Sequence, residues 1–316
     1  MEQATQILNR VLPILLLILL GSGLRRYKFL SPGTVDDLRK VVVNLALPAV
    51  LFVTFLQIEL KLSYLAVFVV IFVLCILLLG MGFLLKTRFA PENGYFPFLM
   101  TGFEYGMLGV SLFGGAYGLE NLGTIAVLAL GHEIFIWFIF LAFLLTKRDG
   151  LQTSQQLVGA FFKSPVILAI LLGILFNLLG MQELLRQAPL SGGVMNALQF
   201  LGNLVVPLIL LIVGYSIQFD RQGVKSALPA VLLRLFILIP LALAMNFFFI
   251  RNWLGLEPIF EAALFTLLVL PPPFIIPLYM RAELVEERHY VNNVLALYTL
   301  FSISIYIVYF IIYQGL

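Results

Sequence analysis

Four ionisable side chains fall deep inside apolar stretches of this chain: Glu104, His132, Glu133 and Arg234. A charge at the centre of a bilayer costs roughly 2.5 kcal/mol or more, so each needs a partner, a proton or a function. Glu104 sits in T-G-F-E-Y-G-M-L-G, from Thr101 to Gly109, among three glycines. Each glycine costs about 1 kcal/mol against alanine in a helix interior, so a broken helix is expected there. A second break is expected at L-P-P-P-F-I-I-P, where Pro271, Pro272 and Pro273 remove successive backbone donors and clash with preceding carbonyls. Unpaired backbone groups survive at membrane depth only against protein or water, which predicts a polar cavity between the breaks. Its candidate solute-contacting residues are Glu104, Tyr105, Gly106, Pro271, Pro272 and Pro273, with Asn44 and Asn203 from other helices. Half-helix N-termini in such a cavity would present N–H groups and positive charge, favouring a carboxylate.

Glu104 reads as a protonatable group, or as a ligand for a cation or a substrate amine. His132 and Glu133 are adjacent on one helix and point about 100° apart, so at most one is expected to face the cavity. Glu133 with a cationic partner would couple an ion to transport; a structural bond between helices is the alternative for either residue. Arg234 lies two turns into its span, where it either snorkels to the cytoplasmic surface or serves as counter-ion to Glu104, Glu133 or a substrate carboxylate. Catalysis is not expected. H-E-I-F-I, from His132, lacks the second histidine of H-E-x-x-H, and Gly109 to Phe113 lacks the last glycine of G-x-S-x-G. No cofactor motif or metal-ligand set is visible. The single cysteine, Cys75, lies in an apolar segment, reads as a core residue, and forbids an intramolecular disulfide.

The elements that must position these groups are membrane helices. Of 316 residues, 62% are hydrophobic and 11% charged, against about a quarter charged in ordinary soluble domains, which excludes a water-soluble fold. The net charge of +3 is too small for a nucleic-acid partner. Ten apolar stretches are long enough to cross the hydrocarbon layer: about 5–24, 33–57, 62–86, 94–117, 121–146, 164–182, 191–217, 226–250, 257–281 and 289–313. The first lacks the basic start and cleavage site of a signal peptide and is kept as a span. Alternate loops hold fourteen Lys and Arg on one side against Arg10, Lys61, Arg186 and Arg251 on the other. Cytoplasmic loops carry the excess, so both termini are expected on the non-cytoplasmic side of the cell (inner) membrane. The connection from Lys147 to Lys163 is expected to be the cytoplasmic hinge between residues 1–150 and 151–316.

The two halves match. Pro13 is followed eight residues later by Gly21, as Pro165 is by Gly173. N-L-A-L-P, from Asn44 to Pro48, matches N-L-V-V-P, from Asn203 to Pro207. Five spans per half is odd, so equivalent helices run in opposite directions, an inverted repeat typical of secondary transporters. The expected fold is an all-α polytopic membrane protein of ten helices in two inverted five-helix repeats, with the fourth and ninth broken where they cross.

Three stretches carry a family resemblance: V-V-V-N-L-A-L-P-A-V-L-F (41–52), K-S-P-V-I-L-A-I-L-L-G-I-L-F-N-L-L-G (163–180) and V-P-L-I-L-L-I-V-G-Y-S-I (206–217). In this order they resemble the auxin efflux carrier family in its short bacterial form. The resemblance implies a sodium/proton-antiporter-like, bile-acid-symporter-like fold. Spans one, two, six and seven would form a scaffold, often homodimeric, and the others a mobile transport domain. It implies a small organic acid as solute, moved by an elevator-like mechanism, with proton, sodium or membrane potential as the driving force. The family usually has asparagine at the first break, in a motif like F-G-N-x-G, where this chain has F-E-Y-G. Pro272 and Pro273 likewise stand where the family has a small or polar residue. An anionic Glu104 disfavours an anionic solute unless it is protonated or paired. A cation (sodium)/proton antiporter using Glu104 and Glu133 is the alternative function.

Overall fold

The structure is a computed structural model that describes residues 2–58, 61, 63–149, 164–187, 189–217, 221–281 and 283–313. Most of the expected hinge, 150–163, lies outside the described residues. Among the described residues every regular element is helical. Among the described residues six helical stretches are long and apolar enough to cross a membrane: Pro32–Gln57, Ser63–Phe89, Leu119–Arg148, Pro189–Ser216, Gly223–Trp253 and Val285–Ile312. Pro165–Leu178 and Pro258–Val269 are shorter and apolar. The chain is thus a multi-pass membrane protein, and its segments form two compact units, interleaved in sequence.

The first unit takes Met1–Lys61, Gly106–Ala126 and Gly159–Ile217. Its helices are α1 (Glu2–Arg26), α2 (Pro32–Val41), α3 (Leu47–Gln57), α6 (Val110–Tyr117), α9 (Pro165–Leu178), α10 (Gln182–Gln187), α11 (Pro189–Asn203) and α12 (Val205–Ser216). Ser31 and Ser164 open α2 and α9 as N-caps, each followed by proline. Their hydroxyls accept otherwise orphaned backbone N–H groups and the ring pre-sets the first helical φ. A π-helical turn, Val42–Ala46, joins α2 to α3 just before Pro48. Pro48 has no N–H to continue the ordinary ladder, which favours a wider turn at this point.

Two close helix pairs dominate this unit. On α1, a side chain at Gly21 would run into the Leu211 carbonyl of α12. On α9, a side chain at Gly173 would stand 2.8 Å from the Phe52 carbonyl of α3. Four residues beyond these glycines, Arg25 donates to Tyr215 O at 3.3 Å and Asn177 donates to Leu56 O at 3.0 Å. Asn177 also reaches the carbonyls of Phe55 at 3.1 Å and Ile58 at 2.7 Å, satisfying acceptors at the end of α3 that have no partner in the helix itself.

The second unit takes Leu62–Tyr105, Val127–Val158 and Gln218–Leu316. Its helices are α4 (Ser63–Phe89), α5 (Phe96–Leu99), most of α7 (Leu122–Phe135), α8 (Leu141–Asp149), α13 (Arg221–Met245), α14 (Pro258–Val269) and α15 (Val285–Ile312). A π-turn, Ile136–Phe140, separates α7 from α8, and a longer one, Asn246–Trp253, follows α13. Gly131 of α7 lies so close to α4 that a side chain would meet the Phe68 carbonyl.

The two expected helix breaks are present. Helix α5 stops at Leu99, and the chain is non-helical until a π-turn at Tyr105–Gly109 leads into α6. Helix α14 stops at Val269, and residues 270–275 are non-helical before a 3-10 turn at Ile276–Tyr279.

Candidate functional site

The two interruptions meet in the second unit. Gly102 has φ +67°, a conformation open to glycine at little cost, and a Cβ there would lie 2.7 Å from Pro273 Cγ. The glycine lets the first break lie against the proline run of the second. Across the contact, Glu104 N–H donates to Pro271 O at 2.9 Å. The Glu104 carboxylate returns the contact, its Oε2 accepting Phe274 N–H at 2.6 Å, and the residue is 8% exposed. Pro271, Pro272 and Pro273 are buried, and none can donate, so Phe274 is the first backbone donor after the run.

Arg234 holds the other side of the crossing. Its guanidinium comes from α13 and donates to Leu99 O at 2.7 Å, Thr101 O at 3.3 Å, Gly102 O at 2.5 Å and Leu270 O at 3.4 Å. These carbonyls belong to the C-terminal ends of α5 and α14 and to the strand beyond α5. Those of Leu99 and Leu270 stand at the negative ends of the half-helices, with no acceptor role left inside a helix. The guanidinium also lies over the rings of Phe103 and Tyr298, 5.3 and 5.2 Å from their centroids. The expected outlet to the cytoplasmic surface does not occur, because Arg234 is 1% exposed. Its hydrogen bonds go to backbone carbonyls where a pairing with Glu104 or Glu133 was expected. A planar fork suits this task, since it can address acceptors from two chain segments at once.

The expected anion-attracting N–H groups are already committed. Phe274 N–H is taken by Glu104, and Phe103 N–H donates to His132 Nε2 at 2.8 Å. A backbone N–H can only donate, so His132 is neutral with its proton on Nδ1. Nδ1 is buried and, among the described residues, has no hydrogen-bond partner, although Glu133 Oε1 lies 3.3 Å away. Glu133 turns instead to the next turn of its helix and accepts from Trp137 Nε1 at 3.2 Å. Of the adjacent pair, the imidazole is the one that reaches the break.

The remaining candidates divide. Tyr105 is buried, and its hydroxyl has no partner among the described residues. Tyr105 and Gly106 straddle the division between the two units. Asn44 and Asn203 belong to the first unit and are exposed there, Asn44 donating to Lys40 O of its own helix at 2.9 Å.

One buried acid escapes sequence reasoning. Glu261, in the first turn of α14, is 4% exposed and receives Arg251 Nε and Nη2, both at 2.8 Å, together with the Tyr313 hydroxyl. These groups line a depression with Leu256, Pro258 and Ile312. Arg251, ten residues before Glu261 across a short loop, was the available signal.

Residues 6–160 match a family model described as membrane transport protein. An uncharacterized transporter of Methanothermobacter thermautotrophicus is 28% identical over 236 residues, 72% of this chain and 74% of that protein. Over residues 6–160, just under half of its length, this chain is thus similar to the membrane transport protein family.

Proposed function

We propose that the protein is a secondary carrier for a small organic acid, with its solute site at the crossing of the two interrupted helices. The observation that carries this reading is the crossing itself. Two breaks at membrane depth are held together by one buried cation on carbonyl ends and one buried carboxylate on an N–H group. Discontinuous helices of this kind form the solute sites of many secondary transporters. The hydrogen bond from Phe274 N–H to Glu104 lessens, without removing, the charge objection to an anionic solute.

The carrier is a ten-span protein of two inverted repeats, with both termini outside the cytoplasm. Support comes from contacts in the first unit. Phe52 and Leu211 each lie eight residues beyond the matched Asn44 and Asn203, and each offers its carbonyl to one of the matched glycines, Gly173 and Gly21. Leu56 and Tyr215 lie twelve beyond the same asparagines, and each offers its carbonyl to the residue four beyond those glycines, Asn177 and Arg25. Contacts between the first and seventh spans are thus repeated between the sixth and second. The first unit is the scaffold, dimeric in the membrane, and the second the moving body of an elevator. Grouping of both breaks, Arg234 and His132 within the second unit supports that division.

The test is flux in proteoliposomes. A panel of small carboxylic acids should show saturable counterflow across vesicles containing the protein. Sodium-dependent proton flux without uptake of any acid would establish the antiporter in its place.

A further inference from the structure

His132 is the only described side chain whose neutral form is required by the crossing backbone. Its ring is 2% exposed, lies 5.6 Å from the Phe103 ring, and accepts Phe103 N–H at Nε2. Phe103 belongs to the strand between α5 and the Tyr105 turn, whose carbonyls at Thr101 and Gly102 Arg234 holds. Its neighbour Glu104 holds Phe274. A proton added at Nε2 turns that acceptor into a donor facing a donor. The Phe103 bond cannot survive it. The imidazolium would have a carboxylate beside its other nitrogen, because Nδ1, which lacks a hydrogen-bond partner among the described residues, lies 3.3 Å from Glu133 Oε1.

On this ground we infer that His132 is a proton-binding site that competes with the crossing strand, so that uptake of one proton from water frees Phe103 and loosens the break beside Glu104. This names the coupling ion of the carrier proposed above and rests on that reading for its physiological use. The charged group beside the ring is Glu133 on its own helix; Glu104 and Tyr105 follow Phe103 in the chain, Cys75 of α4 accepts from Thr101 through its carbonyl, and Arg234 lies over the Phe103 ring. The proton is added to the ring nitrogen and removed again there, with no covalent change elsewhere.

The chain has two histidines, His132 and His289, so nitrogen-15 labelling of histidine in lipid nanodiscs yields two ring systems, assigned with His289→Gln. At high pH, His132 should give the Nδ1–H tautomer. As pH falls it should convert to the imidazolium, and the protection of the Phe103 amide against hydrogen exchange should drop by about tenfold or more with the same midpoint. His132→Gln, whose side-chain oxygen can replace Nε2 as acceptor without titrating, should keep that protection at every pH. A His132 that stays neutral until the protein unfolds, or that titrates while Phe103 protection holds, overturns the inference. Flux separates the two levels. Titration without any acid flux leaves the proton site standing and removes the carrier. Acid flux with a pH profile unaltered by His132→Gln removes the coupling role of the site alone.

Discussion

Replacing Arg234 by methionine removes the cation, keeps much of its volume, and leaves the carbonyls of Leu99, Thr101, Gly102 and Leu270 where they are. The two short bonds, 2.7 Å to Leu99 O and 2.5 Å to Gly102 O, are charge-assisted. At about 1.5–3 kcal/mol each they sum to about 3–6 kcal/mol, with the two longer contacts discounted. Because a membrane-unfolded chain finds other partners for its polar groups, the lower end of that range is the expected value. Arg234→Lys should lose about half as much, since a compact ammonium can serve the carbonyls of one segment but not both. The assay is reversible unfolding in lipid nanodiscs or bicelles, read by a tryptophan or thermal probe, with both variants against the parent protein. Arg234→Met unfolding within about 0.5 kcal/mol of the parent would mean that the carbonyl ends are satisfied without the guanidinium, and the account of the crossing would fail.

Gly102→Ala should destabilise by about 1–3 kcal/mol, from a strained left-handed residue and a Cβ driven 2.7 Å from Pro273 Cγ; a thermal shift within error of the parent would contradict it. Glu104→Gln keeps an acceptor for Phe274 and should fold normally while altering the pH dependence of flux, whereas Glu104→Ala, with no acceptor, should lose about 1–3 kcal/mol in the same unfolding assay. Gly21→Leu and Gly173→Leu should be similarly damaging, each about 3 kcal/mol or more, because each side chain must displace a backbone carbonyl of the facing helix. A large effect at one glycine with none at the other would break the proposed equivalence of the repeats.

The breaks were legible in the sequence because their causes are local. Gly102 needs a backbone that disfavours side chains, and Pro271 to Pro273 cannot donate, whatever lies around them. The partners of Arg234 were not legible, since they are main-chain carbonyls whose location depends on where two distant helices happen to end. A sequence exposes charged side chains and hides backbone acceptors, so the expectation was snorkelling to the surface or pairing with Glu104, Glu133 or a substrate carboxylate. Glu261 was missed for a related reason. Nothing near it in the chain marks it as buried, yet it is 4% exposed and pairs with Arg251, whose own side chain is exposed. Asn44 and Asn203 are themselves exposed, and it is the residues eight and twelve positions beyond them that receive the equivalent contacts.

Solute protection at the crossing tests the central claim most directly. Cys75 is the single cysteine, so Cys75→Ser supplies a background into which Tyr105→Cys places one thiol at the first break. An acid that the vesicles transport should slow labelling of that thiol by a small maleimide, saturably and at the concentration that half-saturates flux. Labelling at the same rate with and without the transported acid would place the solute elsewhere and contradict the account.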